Sequence, residues 1–139
     1  MFTLHPDFER TSVRLGDLAL SQARLHLDAR FPWIVLIPRL AGALGIEDVG
    51  AGDHAVLMAE IALAGGAARA IGEAAGRPSA RLNIGILGNI TPQLHVHVVG
   101  RRPDDAAWPG PVWGHGEVEA YSDATLATAW AVAVAALRI

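Results

Sequence analysis

The chain has 139 residues, no cysteine, and 14 acidic against 11 basic side chains, a formal charge of −3. That length suits a single domain over 1–139 with its own core, the charge balance gives no basic stripe of the kind that grips nucleic acid, and the missing cysteines exclude disulfides and thiolate metal sites and make a reducing cytoplasm the expected compartment. Although 52% of residues are hydrophobic, no apolar run approaches the ~18 residues of a membrane span, and the opening MFTLHPDFERTSVR is charged too early for a signal core.

In chain order, LALSQARLHLDA (18–29) alternates around Leu25 and Leu27 and reads as a strand. FPWIVLIPR (31–39), rich in Val and Ile and ended by Pro38, reads as a second, buried strand. A glycine-rich connection (40–53) holds one helical turn at 46–49, and Asp53 offers an N-cap. From His54 to about Ala75, apolar residues recur at helical spacing. The Gly65-Gly66 pair inside that helix costs roughly 1 kcal/mol per residue against alanine, which points to a close helix–sheet contact. Gly76 and Pro78 stop the helix. ARLNIGILG (80–88) and QLHVHVVGR (93–101) read as strands joined by NITP, a length suited to a hairpin. A Pro/Gly-rich coil (102–116) carries Trp108 and Trp113, and Asp123 caps a final helix. The expected fold is α+β: an antiparallel sheet of about five strands, one long helix and a C-terminal helix.

The run TPQLHVHVVGRR (91–102) carries the chemistry. Side chains alternate along a strand, so His95 and His97 share a face with Gln93 and Val99, while Leu94, Val96 and Val98 form the core face. The histidine face is then either solvated or the wall of a cleft. A metal site needs a third ligand, and none of His5, His26, His54 or His115 has telling spacing. A neutral imidazole can instead attack an electrophile while its neighbour holds the substrate or passes a proton to the leaving group.

LNIGILGNITPQLHVHVVGR resembles the signature of the histidine triad (HIT) superfamily: an Asn-x-Gly strand, a tight loop, then alternating histidines and a trailing Arg. Asn83 and Gly85 match the first part, His95 and His97 match the second and third histidines, and Arg101 matches the Arg. AAWPGP resembles the Trp-Pro segment of one branch, and LHLDARFPWIVLIPR resembles the family's upstream strand pair, so the likeness spans roughly residues 18 to 114. The first triad position is Gln93 instead of histidine. The loop is one residue shorter than usual and lacks the phosphate-binding Gln, whose place Asn89 can take. Trp33 stands about where the family has an additional histidine.

The resemblance implies hydrolysis or transfer at the α-phosphate of a nucleotide derivative, of dinucleoside polyphosphate or nucleoside phosphoramidate type, through a nucleotidyl-histidine on His95. His97 would be its catalytic partner. Asn83 would donate to a phosphate oxygen, Gln93 would support the site, and Asp28 would accept from ribose hydroxyls. No cofactor and no metal is expected. The partners expected are a small-molecule nucleotide and a second copy of the chain, without nucleic acid or membrane. The competing class is a non-catalytic nucleotide-binding module of the same fold, favoured by Gln93 and the altered loop. Arg101 reads as a solvated strand end, and Trp108 and Trp113 as a lid, a dimer contact or packed coil. Activity should fall in acid as the attacking imidazole is protonated.

Overall fold

The apolar run Trp33–Pro38 (β3) lies at the centre of an antiparallel sheet, and all six of its residues are buried. In the computed structural model, which describes all 139 residues, the other strands are Ser12–Asp17 (β1), Ser21–His26 (β2), Arg81–Gly85 (β4) and Val96–Arg101 (β5), in the spatial order β1-β2-β3-β5-β4. Helices span Pro6–Thr11 (α1), Ala51–Ala74 (α2) and Asp123–Leu137 (α3), with a 3-10 turn at Ile46–Asp48. The fold is therefore the expected α+β arrangement with five strands. In addition, α1 and β1 are present where the sequence pattern predicts nothing.

One face of the sheet meets helices. Leu25, Ile34, Leu36, Leu94, Val96 and Val98 pack with Leu57, Ile61 and the alanines of α2, and α3 closes that layer through Ala129, Ala133 and Leu137. Small side chains let these elements approach closely. A Cβ on Gly65 would meet Leu82 at 2.7 Å, so this glycine serves the close contact, whereas Gly66 faces open space. The helix is long and apolar enough to cross a membrane by length and composition, with a mean hydropathy of 1.5 over 18 residues, contrary to the reading of the bare run. Half of that window is buried in the protein, and Glu60 at its middle turns its carboxylate onto the Leu20 and Ser21 amides at 2.6 and 3.1 Å. That is the pattern of a core helix tying down the β1–β2 turn.

The other face meets a smaller cluster, in which Phe8, Phe31, Trp33, Val35, Ile37, Val99, Ala107 and Val112 come from five separate stretches of chain. Two helix starts differ from expectation. The N-cap of α2 is Gly50, with Asp53 inside the first turn, and the cap of α3 is Ser122, whose hydroxyl accepts from the Thr125 amide. The β4–β5 connection runs over ten residues, 86–95, not four. Gly88 in that loop adopts φ +62°, the left-handed region that favours glycine.

Candidate active site

His95 and His97 point to the same side of the sheet, ring centroids 4.8 Å apart. They line a cleft of about 550 Å³ between α1, the 86–95 loop and the coil around Trp113. Alternation across β5 explains this: Val96 and Val98 are drawn into the helical core, which leaves the histidines no other direction. A second cavity of about 580 Å³, between the end of α2 and the start of α3, contains no histidine.

The two imidazoles are held in opposite tautomers by their partners. His95 Nδ1 lies 2.6 Å from the Gln93 carbonyl oxygen. A carbonyl only accepts, so Nδ1 carries the proton and Nε2 keeps its lone pair. His97 Nδ1 lies 2.9 Å from Trp33 Nε1. An indole only donates, so here Nδ1 accepts and the proton sits on Nε2. One ring thus presents a lone pair and the other an N–H.

Burial lowers the pKa of all three histidines around this point. For His95 it outweighs the Gln93 carbonyl, which favours the charged form. For His97 burial is reinforced by His95 and His26 and brings the value to about 3. His26, stacked on Trp33 at 4.1 Å, is lowered to about 4 by burial against the opposing pull of Asp28. All three are neutral at pH 7. The edge of Phe8 meets His95 at 5.0 Å, and Trp113 meets His97 at 5.6 Å.

The backbone N–H groups of Leu87 through Thr91 donate to no group within the chain, and all five residues line the cleft, Asn89 among them. Successive free amides in a turn are a ready cradle for anionic oxygens. Asp7 anchors the loop by accepting from the Thr91 hydroxyl at 2.8 Å.

Three of the expected binding residues already hold partners within the chain, and two of them lie outside the cleft. Asp28 lines the cleft but is buried, and both its oxygens accept from Arg30 at 2.9 to 3.3 Å. Asn83 does not line the cleft; its Oδ1 accepts from Arg101 at 2.6 Å. Gln93 does not line it either. Its Oε1 accepts from the His5 amide and its Nε2 donates to the Thr3 carbonyl, both at 2.8 Å, which fastens the N-terminal segment over the sheet. Arg101 is the opposite of a solvated strand end: it is buried, gripped by both oxygens of Asp105 and by the Gly110 carbonyl, and stacked on Phe31 and Trp108. Trp108 therefore packs on an arginine, while Trp113 forms the cleft wall. Trp33, expected about where the family has an additional histidine, joins the site through its indole N–H, and Phe8 joins it without having been foreseen. Six residues of α1 are too few to show a helical period; the only signal was a proline and two acids at a helix start, Pro6, Asp7 and Glu9.

Residues 7–104 match the family model described as HIT domain. Among solved structures, the chain resembles a histidine triad protein from Sinorhizobium meliloti 1021 at 40% identity, covering 96% of this chain and 95% of that one with a TM-score of 0.85. A histidine triad protein from Bradyrhizobium japonicum is also 40% identical over 99% and 96% of the two chains, TM-score 0.83. One from Marinobacter aquaeolei VT8 is 31% identical over 99% and 97%, TM-score 0.88. No curated protein matches the sequence.

Proposed function

The chain belongs to the histidine triad (HIT) family, generally nucleotide hydrolases and transferases, and on that premise we propose that it cleaves nucleotide derivatives at the α-phosphate with His95 as nucleophile. The observation that carries this reading is the 2.6 Å contact between His95 Nδ1 and the Gln93 carbonyl. It fixes the reactive tautomer and leaves Nε2 as a lone pair toward the cleft, neutral at pH 7 because burial lowers its pKa.

In the first step Nε2 forms a bond to phosphorus, and the bond from phosphorus to the leaving group breaks with its electron pair going to that group. The Gln93 carbonyl offsets the positive charge that develops on the ring. The free amides of 87–91 and the Nε2–H of His97 hold the phosphoryl oxygens, where charge shifts in the transition state. In the second step water attacks phosphorus, the P–N bond returns its pair to His95, and a proton passes to solvent. One water is consumed and a nucleoside monophosphate is released. Contacts to the base fall to the aromatic wall of Phe8 and Trp113, with Asp28 in the same cleft for the ribose.

The test is incubation with a panel of adenylylated and guanylylated compounds, followed by mild-base quenching and peptide mass spectrometry. His97→Ala protein should accumulate a nucleotidyl group on His95, and His95→Ala should form none. Normal turnover by His95→Ala sinks the mechanism; nucleotide binding without turnover or adduct in the native chain favours the binding-module reading, to which Gln93 lends weight. A homodimer is part of the proposal. Exposed apolar residues gather on β4 and the following loop, Ile84, Ile86, Leu87 and Ile90, and on α2 at Met58. Light scattering should give twice the 14.6 kDa of the chain; a monomer mass at micromolar concentration refutes it.

A further inference from the structure

We infer that the Trp33–His97 hydrogen bond makes His97 a hydrogen-bond donor that cannot act as an acid, and so restricts the site to leaving groups that depart as stabilised anions, such as phosphate, polyphosphate or sulfate, over amines. This rests on the nucleotidyl-histidine reading above and names its substrate class.

The geometry is specific. To give up a proton and end neutral, His97 must first be an imidazolium, with N–H on both nitrogens. Its Nδ1–H would then face the indole N–H of Trp33 across 2.9 Å, donor against donor. Trp33 is 5% exposed and packed against His26, Phe31 and Trp113, so its ring has no room to turn away. Giving up Nε2–H from the neutral ring would leave an imidazolate, which nothing here stabilises.

No other titratable group packed around His95 and His97 takes over the task. The Nδ1–H of His95 is spent on the Gln93 carbonyl. Asp28 and Asp7 are held ionised by Arg30 and by Thr91 and Arg10. His26 is tilted 34° against Trp33 and kept neutral by burial, and His115, on the exposed rim, is not among the rings that contact His97. An anhydride needs no acid: when His95 displaces a polyphosphate or sulfate, the departing oxygen keeps the electron pair as a stable anion. A phosphoramidate does need one, because the nitrogen must gain a proton as the P–N bond breaks to leave as a neutral amine.

The experiment compares a dinucleoside polyphosphate with an adenosine phosphoramidate bearing an alkylamine, in native protein and in Trp33→His and Trp33→Phe. A general acid contributes typically about 10²–10⁴-fold, so native kcat/KM should favour the anhydride by at least about a hundredfold. In Trp33→His, residue 33 can accept from a protonated His97, and amidate turnover should rise about tenfold or more with anhydride turnover changed far less. Trp33 acting only as packing would move both substrates in parallel, and that outcome overturns the inference. So does comparable native turnover of the two substrates. Nitrogen-15 spectra of His97, which need no activity, should show Nε2–H in native protein and lose that bias in Trp33→Phe; an Nδ1–H form in native protein overturns the inference by itself. Turnover of neither substrate, with the tautomer as expected, instead removes the enzymatic reading and the substrate class with it.

Discussion

The two faces of the sheet are built on opposite principles. The helical face is made of aliphatic side chains and alanines from long, periodic elements, and nearly every residue there does one thing, which is to exclude water. The other face joins aromatic rings and imidazoles from short pieces of chain, and four of its polar groups are each held by a specific partner: His95 by a carbonyl, His97 by an indole, Asp28 and Asn83 by arginines. The first arrangement supplies stability that many sequences could supply. The second sets protonation and orientation, and depends on single residues. Substitutions on the two faces should therefore separate stability from chemistry.

The sharpest separation comes from His95→Ala. Loss of a nucleophile removes the covalent path, so turnover of any accepted nucleotide should fall by about 10³-fold or more, while the thermal midpoint moves little. A large loss of stability with only a modest loss of rate would erase the distinction between the faces. On the helical side, Leu36→Ala should do the reverse. Leu36 is fully buried between sheet and helices, and such truncations cost about 2–5 kcal/mol. Urea unfolding should report that loss while kcat of the folded protein stays near native.

Acidity should strike only the histidine face. Histidines whose folded pKa lies below the unfolded value bind fewer protons in the native state, so they give their full stability above about pH 6.5 and lose it as pH falls toward the folded pKa. For His97 at about 3 and His26 at about 4, the loss between pH 7 and 5 is about 2 kcal/mol each, and His95 shifts in the same direction. Denaturation midpoints at the two pH values should differ accordingly, and His26→Phe should shrink the difference. The acid limb of activity should lie below the ordinary histidine value, since burial lowers His95 too; a limb centred above pH 6.5 contradicts the described burial.

Legibility follows the same division. Strands β2 to β5, α2 and the inward side of β5 are readable because apolar periodicity is a property of many residues at once. β1, an edge strand whose pairing shifts between Arg14 and Gly16, does not alternate, and α1, a single turn and a half, is too short to show a period. The histidine pair was readable from alternation and from its resemblance to the family, but not what its neighbours do to it. That Asp28 would be spent on Arg30, two residues on, or Asn83 on Arg101, eighteen residues on, follows from which cations the fold leaves buried and in need of a counterpart. A list of types and spacings does not contain that competition.

The smallest expected effect concerns Gln93. Gln93→Ala removes two hydrogen bonds to Thr3 and His5, worth about 1 kcal/mol each or less at a partly exposed position. The first residues should become more open to proteolysis, with the rest of the molecule unchanged.

That pair of bonds also gives the N-terminal cover an unusual independence. The carboxamide of Gln93 offers one donor and one acceptor to a stretch of backbone, as a neighbouring strand would, and neither it nor its partners can gain or lose a proton in the biological range. The loop contact beside it uses Asp7, whose carboxyl is held below the usual carboxylate range by Thr91. Between pH 5 and 8, where an imidazole at position 93 would pass from charged to neutral, the two Gln93 bonds do not register the change. These two Gln93 bonds are thereby insulated from the acidity that governs the histidines beneath them.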